Sequence, residues 1–250
     1  MSRNTDCKLA NGQDMKNSHQ LSRTAIEQHL RCPKCFYQQR KLGLKQPAMV
    51  PLTLAVATDA LLKNEFDVVR ESGAGHPIWD QEGLKVRAFQ HPDIELWRNN
   101  FKGIRVLHGS GKEIFGAVDD VWENTETGEL HVVDYKSTSK QGEPSIDVGW
   151  GDAYKRQMEI YQWLFREAGF NVSPIGYFLY VNGIKQGTFY EGTAKGRMWF
   201  DTTMIAYEGD ASWVASAVDE AVACLASEEI PDSGDACDNC RYFHERALLS

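Results

Sequence analysis

Gly116-Ala117-Val118-Asp119 and, after a short connection, Val132-Val133-Asp134-Tyr135-Lys136 decide how this chain is read. Side chains two apart on a strand share a face. Asp134 and Lys136 therefore point one way, and Val133 and Tyr135 the other. Residues 114–123 also read as a strand, and Asn124-Thr125-Glu126-Thr127-Gly128 has the composition of a hairpin connection. In that hairpin Asp119 sits across from Asp134. Two hard oxygen ligands on one rigid sheet suit a divalent cation, and a lysine beside them can stabilise a developing anion or orient a water. Asp120 points away from Asp119 and stays outside the expected site. A solvated surface hairpin would carry the same charges at little energetic consequence. Against that reading, Asp134 lies within the apolar run of Val132, Val133 and Tyr135, where an unpaired carboxylate would be costly.

Downstream, Tyr154, Met158, Tyr161, Leu164 and Phe165 recur at helical spacing and predict a helix over 152–168. Gln157 and Tyr161 are four apart, hence neighbours on one helix face. Their polar tips can reach a phosphate or brace a metal site.

The other elements follow from punctuation and period. Thr24 and Glu27 have capping-box spacing at the start of an early helix. Pro33 opens a further turn, Gly43 stops it, and a longer helix runs over 54–70 to a stop at Ser72-Gly73. Residues 73–93 read as irregular. Strands are expected at 104–108, 114–123 and 129–137. Residues 175–181 and 187–191 predict a hairpin around Asn182-Gly183, with 198–207 continuing the sheet and a helix over 211–225. The fold class is α/β, a mixed central sheet flanked by helices. Residues 1–20 read as a polar, disordered leader. Residues 21–250 form one domain, with 21–46 and 231–246 making a small cysteine-stapled lobe.

Composition narrows the function classes. No stretch approaches the run of about 20 apolar residues that a membrane span needs, and the leader lacks an apolar signal core. A cytoplasmic protein with no membrane partner is expected. The net charge of −8 argues against a free-standing, high-affinity nucleic-acid binder. Of six cysteines, Cys7 falls in the leader and Cys224 in an apolar helix. Cys32-x-x-Cys35 and Cys237-x-x-Cys240 remain. Either pair alone could be a redox dithiol; together they make a tetrathiolate for zinc or an iron–sulfur cluster.

The ordered set of Gly-x-x-Asp119, Asp134-x-Lys136 and Gln157-x-x-x-Tyr161 resembles the RecB-like branch of the PD-(D/E)XK nuclease superfamily. Leu30-Arg-Cys32-Pro-Lys-Cys35-Phe-Tyr37 resembles that branch's opening, and Cys237-Asp-Asn-Cys240-Arg-Tyr242 its closing cysteines. The resemblance spans roughly residues 21–246 and implies a Mg2+- or Mn2+-dependent DNase, more exonuclease-like than site-specific. It implies Asp119, Asp134 and the Tyr135 backbone carbonyl as metal ligands, and Lys136, Gln157 and Tyr161 as their catalytic companions. Asp59 stands where the branch places a histidine ligand; it is an additional metal ligand or an exposed helical carboxylate. Arg246 stands where a last late cysteine would fall, and Cys35 supplies a fourth thiolate. The resemblance favours a 4Fe–4S cluster, with structural Zn2+ as the alternative. DNA is the implied substrate, in repair, recombination, phage or defence processing. The acidic charge fits a helicase, recombination or defence partner. A DNA-end-binding or adaptor module on the same fold is the rival reading.

Overall fold

The computed structural model describes residues 19–44, 46, 50, 52–190, 192 and 194–249. Its elements in chain order are β1 (Gln20–Ser22), α1 (Arg23–Arg31), α2 (Pro33–Arg40), α3 (Thr53–Ser72), α4 (Pro77–Gln81), β2 (Val86–Ala88), α5 (Ile94–Arg98), β3 (Ile104–Leu107), β4 (Glu113–Gly116), β5 (Asp120–Asn124), β6 (Leu130–Thr138), α6 (Gly151–Glu167), β7 (Ile175–Gly183), β8 (Phe200–Glu208), α7 (Val214–Ala226) and α8 (Asp238–Leu248). Apart from its last two positions, the expected leader lies outside the described residues, and so does Cys7. Among the described residues no helix is long and apolar enough to cross a membrane.

The chain divides into two compact units. One comprises Met1–Met49, Val106–Phe115 and Ser212–Ser250; the other comprises Val50–Arg105 and Gly116–Ala211. A five-stranded sheet ordered β2-β5-β6-β7-β8 dominates the second unit. β5 and β6 form the expected hairpin, with Asp120 paired to Val133 and Glu123 to Leu130. Its turn is held by Asn124, whose Oδ1 accepts from the amides of Glu126 and Thr127 at 2.9 and 3.0 Å. Gly128 then takes a φ of 72°, open to glycine without a Cβ penalty. β6 and β7 are parallel, which requires a crossover, and α6 supplies it. Buried from Leu130 to Tyr135, β6 is covered on both faces. On one face Val133 and Tyr135 join Phe66, Trp79, Trp122 and Tyr177 in the apolar core. A smaller sheet runs β1-β4-β3, with β1 parallel to β4.

Within this core Asp120 is fully buried. Its Oδ1 accepts from Arg70 Nη2, from Arg98 Nη2 at 3.0 Å and from the Val121 amide at 2.8 Å. Its Oδ2 accepts from Tyr135 Oη at 3.0 Å and Trp122 Nε1 at 3.2 Å. Burial, with Asp120 alongside, pushes the Tyr135 phenol well above its ordinary value, so it remains a donor.

Four expectations are corrected. Residues 114–123 are two strands in two sheets, because the chain leaves the ladder after Gly116 and Val118 donates to the Trp97 carbonyl at 3.1 Å. Ser22, not Thr24, caps α1, accepting from the Ala25 amide at 3.1 Å. Residues 73–93 contain α4, capped by His76, and β2, which pairs with β5. The strand antiparallel to β7 is β8, so the connection spans 184–199 instead of turning at Asn182-Gly183.

The first unit packs Ile26 of α1, Phe36 and Tyr37 of α2, and Val214, Val218 and Ala221 of α7 as buried residues. Tyr37 Oη donates to the Ser227 carbonyl at 3.2 Å, tying the end of α7 to α2.

Removing the carboxylate from Asp120 would take from two buried guanidiniums the fully buried one of the two carboxylates they share, leaving only the part-exposed Asp67 between them. Asp120→Ala is expected to lower stability by about 3–5 kcal/mol, measured by urea unfolding. A loss below about 1 kcal/mol would show that the knot is not holding α3 and α5.

Candidate active site

Asp119 lies one step beyond the last paired positions of the hairpin, Asp120 and Val133, and so beside Asp134. Its Oδ2 accepts from the Tyr135 amide at 2.8 Å. Its Oδ1 meets Lys63 Nζ at 3.3 Å, and 23% of the side chain remains exposed. Lys63 also pairs with Asp59 at 2.9 Å, one helical turn back along α3. Burial raises the Asp119 pKa, Asp59 adds to that, and Lys63 offsets part of it. Asp59 therefore reaches the site through Lys63.

Asp134 is 1% exposed. Its Oδ2 is paired with Lys136 Nζ, and its Oδ1 accepts from Gln157 Nε2 at 2.7 Å. The same amide reaches Tyr161 Oη at 3.2 Å, while Lys136 donates to Gln157 Oε1 at 3.3 Å. Lys136 Nζ also lies 4.2 Å from the centroid of the Tyr154 ring. Burial pulls the Lys136 pKa down, but Asp134 and Asp119 outweigh it and the net direction is up. The ammonium stays charged. β6 and α6 thus bring Asp134, Lys136, Gln157 and Tyr161 into one hydrogen-bonded group. Tyr135 turns its side chain to Asp120 and offers this group only its backbone.

Sequence reasoning missed Lys63 and Tyr154. Lys63 follows Asp59 at i+4, and that spacing was the available signal. Tyr154 belongs to the apolar stripe of α6, where nothing marks it as the ring beside a lysine.

The donor chemistry fits a hard cation. Asp59 and Asp119 pair with Lys63, and Asp134 pairs with Lys136; each pairing engages a carboxylate oxygen that a divalent ion could take over. Among the described residues, only the four cysteines place three or more ligand atoms within 4.8 Å of one another.

Those cysteines lie in the first unit. Cys32 caps α2 by accepting from the Cys35 amide, and Cys237 stands just before α8 without a side-chain cap, with Cys35 and Cys240 one turn in. Sγ separations are 3.7 Å for Cys32–Cys240, 3.6 Å for Cys35–Cys237 and 3.5 Å for Cys35–Cys240. No disulfide joins them. Burial pushes the Cys32 thiol up, but amide donation from Cys35 and Gly234 brings it down to about 7. Burial drives Cys35 up, and Cys240 up to about 11. A cation bound by four thiolates would hold all of them deprotonated.

The family model of the PD-(D/E)XK nuclease superfamily matches residues 53–244, from α3 into α8. The chain belongs to the PD-(D/E)XK nuclease superfamily. Its fold is a nuclease fold, and the superfamily's chemistry is hydrolysis of nucleic acids. A solved structure of a candidate exonuclease from Eubacterium rectale is similar at 12% identity with a TM-score of 0.42, covering 97% of this chain and 93% of that one. A search of curated proteins gave no match.

The glycine of Gly-x-x-Asp119 has a packing reason in this nuclease. A Cβ on Gly116 would lie 2.6 Å from a ring carbon of Tyr161, so the bare backbone is what lets Tyr161 sit beside Gln157. Gly116→Ala is expected to cost about 1–3 kcal/mol through overpacking. Much of that loss should disappear in the Gly116→Ala/Tyr161→Ala background, since the clash partner is gone. Additive losses in a double-mutant cycle would disprove the contact.

Proposed function

We propose that the protein is a metal-dependent DNA nuclease of the RecB-like branch, acting on DNA ends. The observation that carries this reading is the buried Asp134 held between Lys136 and Gln157, with Asp119 at the adjoining position of the hairpin. Asp119, Asp134 and the Tyr135 backbone carbonyl would hold Mg2+ or Mn2+, with Asp59 as an additional carboxylate. When bound, the ion supplies Lewis-acid polarisation of the scissile phosphate and a water of lowered pKa. Lys136, kept charged, stabilises negative charge developing on the phosphate and is a poor proton acceptor. Gln157 fixes both Asp134 and Lys136, and Tyr161 fixes Gln157. The net charge of −8 favours action beside a partner protein that delivers DNA, such as a helicase, recombination or defence component.

In this reading the four cysteines would hold one Zn2+, in preference to the 4Fe–4S cluster that the resemblance favours. Zn–S bonds of about 2.3 Å put tetrahedral sulfurs roughly 3.8 Å apart. The separations of 3.5–3.7 Å match that edge. In a cubane each thiolate binds a different iron, and the four stand farther apart.

Wild-type protein should degrade free-ended DNA with Mg2+ or Mn2+. Asp134→Asn should lower the rate by at least about 1,000-fold, and Lys136→Ala by roughly 100-fold or more with metal binding retained. Wild-type rates in Asp134→Asn, purified free of contaminating nuclease, would reject the active site. Elemental analysis should find one zinc per chain in colourless protein; brown protein containing iron would reject zinc. Cys237→Ser should lower the melting temperature by about 10 °C, the metal's binding energy being folding energy.

A further inference from the structure

The connection between β7 and β8 carries a feature that the hydrolytic site does not use. Phe189, Tyr190 and Trp199 are 62%, 61% and 61% exposed, a concentration of large rings that burial would normally remove from water. They are held in place rather than loosely strung. Arg197 donates its amide to the Phe189 carbonyl at 3.1 Å, and Ile184 to that of Trp199 at 2.8 Å. Gly196 gives the Phe189 ring its seat, since a Cβ there would come within 2.0 Å of that ring. The Arg197 guanidinium lies 5.4 Å from the centroid of Trp199. Lys185 and Lys195 add positive charge to the same connection, in a chain whose net charge is −8.

Its position links it to the site. Lys136 of β6 pairs with Tyr180 of β7 in parallel register. The connection leaves β7 only three residues later, after Gly183, roughly 10 Å along the strand at ~3.3 Å per residue. Both strands point their carboxyl ends toward it.

We propose that this aromatic, basic connection is a stacking platform for single-stranded DNA entering or leaving the active site. Largely exposed rings, with Phe189 and Tyr190 packed edge-to-face at 5.2 Å and cations interleaved, match unpaired bases and their phosphates. In a duplex the base faces are already stacked and unavailable to the rings. The inference rests on the nuclease reading for its substrate class, and its test is kept separate from cleavage.

Binding of a fluorescent oligo(dT) strand and of a blunt duplex would be measured with full-length protein in the Asp134→Asn background, which blocks cleavage. Single strands should bind at least tenfold more tightly than the blunt duplex. Trp199→Ala and Tyr190→Ala should each weaken single-strand binding about tenfold. Trp199→Phe, which keeps a ring face, should restore most of it. Lys195→Ala should weaken binding and reduce its salt dependence. Melting curves equal to the parent's would show that the variants fold. Unchanged affinity in folded Trp199→Ala and Tyr190→Ala, equal binding of the blunt duplex, or binding of RNA alone would overturn the platform. Cleavage by wild type alongside such a result would leave the nuclease reading standing. Ring-dependent binding without any wild-type cleavage would do the reverse.

Discussion

The second unit depends on the burial of Asp120. Asp120 opens β5 and Asp119 stands just before it, and their side chains go to different partners, so they cannot serve the same purpose. Asp120 goes inward and gathers Arg70 from α3, Arg98 from α5, the Tyr135 phenol and the Trp122 indole. Asp119 goes outward to Lys63. Lys63 and Arg70 are seven residues apart on α3, two turns and about 10 Å along its axis. Pinned at both places to consecutive aspartates, α3 has neither rotation nor register left to choose. The buried charge costs desolvation, and its five donors make that tolerable. In exchange, the helix bearing Asp59 and Lys63 is fixed against the strand bearing Asp134 and Lys136.

The site that results is electrostatically poised. Asp119 is pushed toward protonation by burial, while Lys63 and Lys136 pull it back toward the carboxylate. In the proposed function, a cation held by Asp119 and Asp134 would take over the charge balance that Lys63 and Lys136 supply. Gln157 contacts Asp134, Lys136 and Tyr161 through one amide. Any shift of α6 therefore moves both charges of the β6 pair together. Gly116 belongs to the same logic, because the space it leaves is filled by Tyr161.

The hairpin, its facing aspartates and the lysine were legible because period-two alternation places them without tertiary information. α6 was legible because its apolar stripe is long. What was not legible depended on partners far away in sequence. The split of 114–123 into β4 and β5 is decided by Val118 bonding to Trp97, which nothing local announces. β2 has three residues, too few for a period to show. Asn182-Gly183 has turn chemistry, yet β7 extends through it because β8 pairs all the way to Gly183. Lys63 and the buried role of Asp120 required knowing how α3 lies on the sheet. Composition could not supply that.

The first unit faces a different constraint. Cys35 and Cys237 are 202 positions apart, and closing a loop of that length costs roughly 5 kcal/mol. Apolar burial by α8 does not meet that cost: the helix has no buried residue, and Tyr242 and Phe243 are exposed. What fixes its start is the meeting of Cys237 and Cys240 with Cys32 and Cys35, together with the Gly234 amide on Cys32 Sγ at 3.3 Å. The zinc proposed for these four thiolates would contribute about 10–16 kcal/mol of binding energy, well above the closure cost. With that metal in place, a helix without a buried residue would be fixed by its first turn.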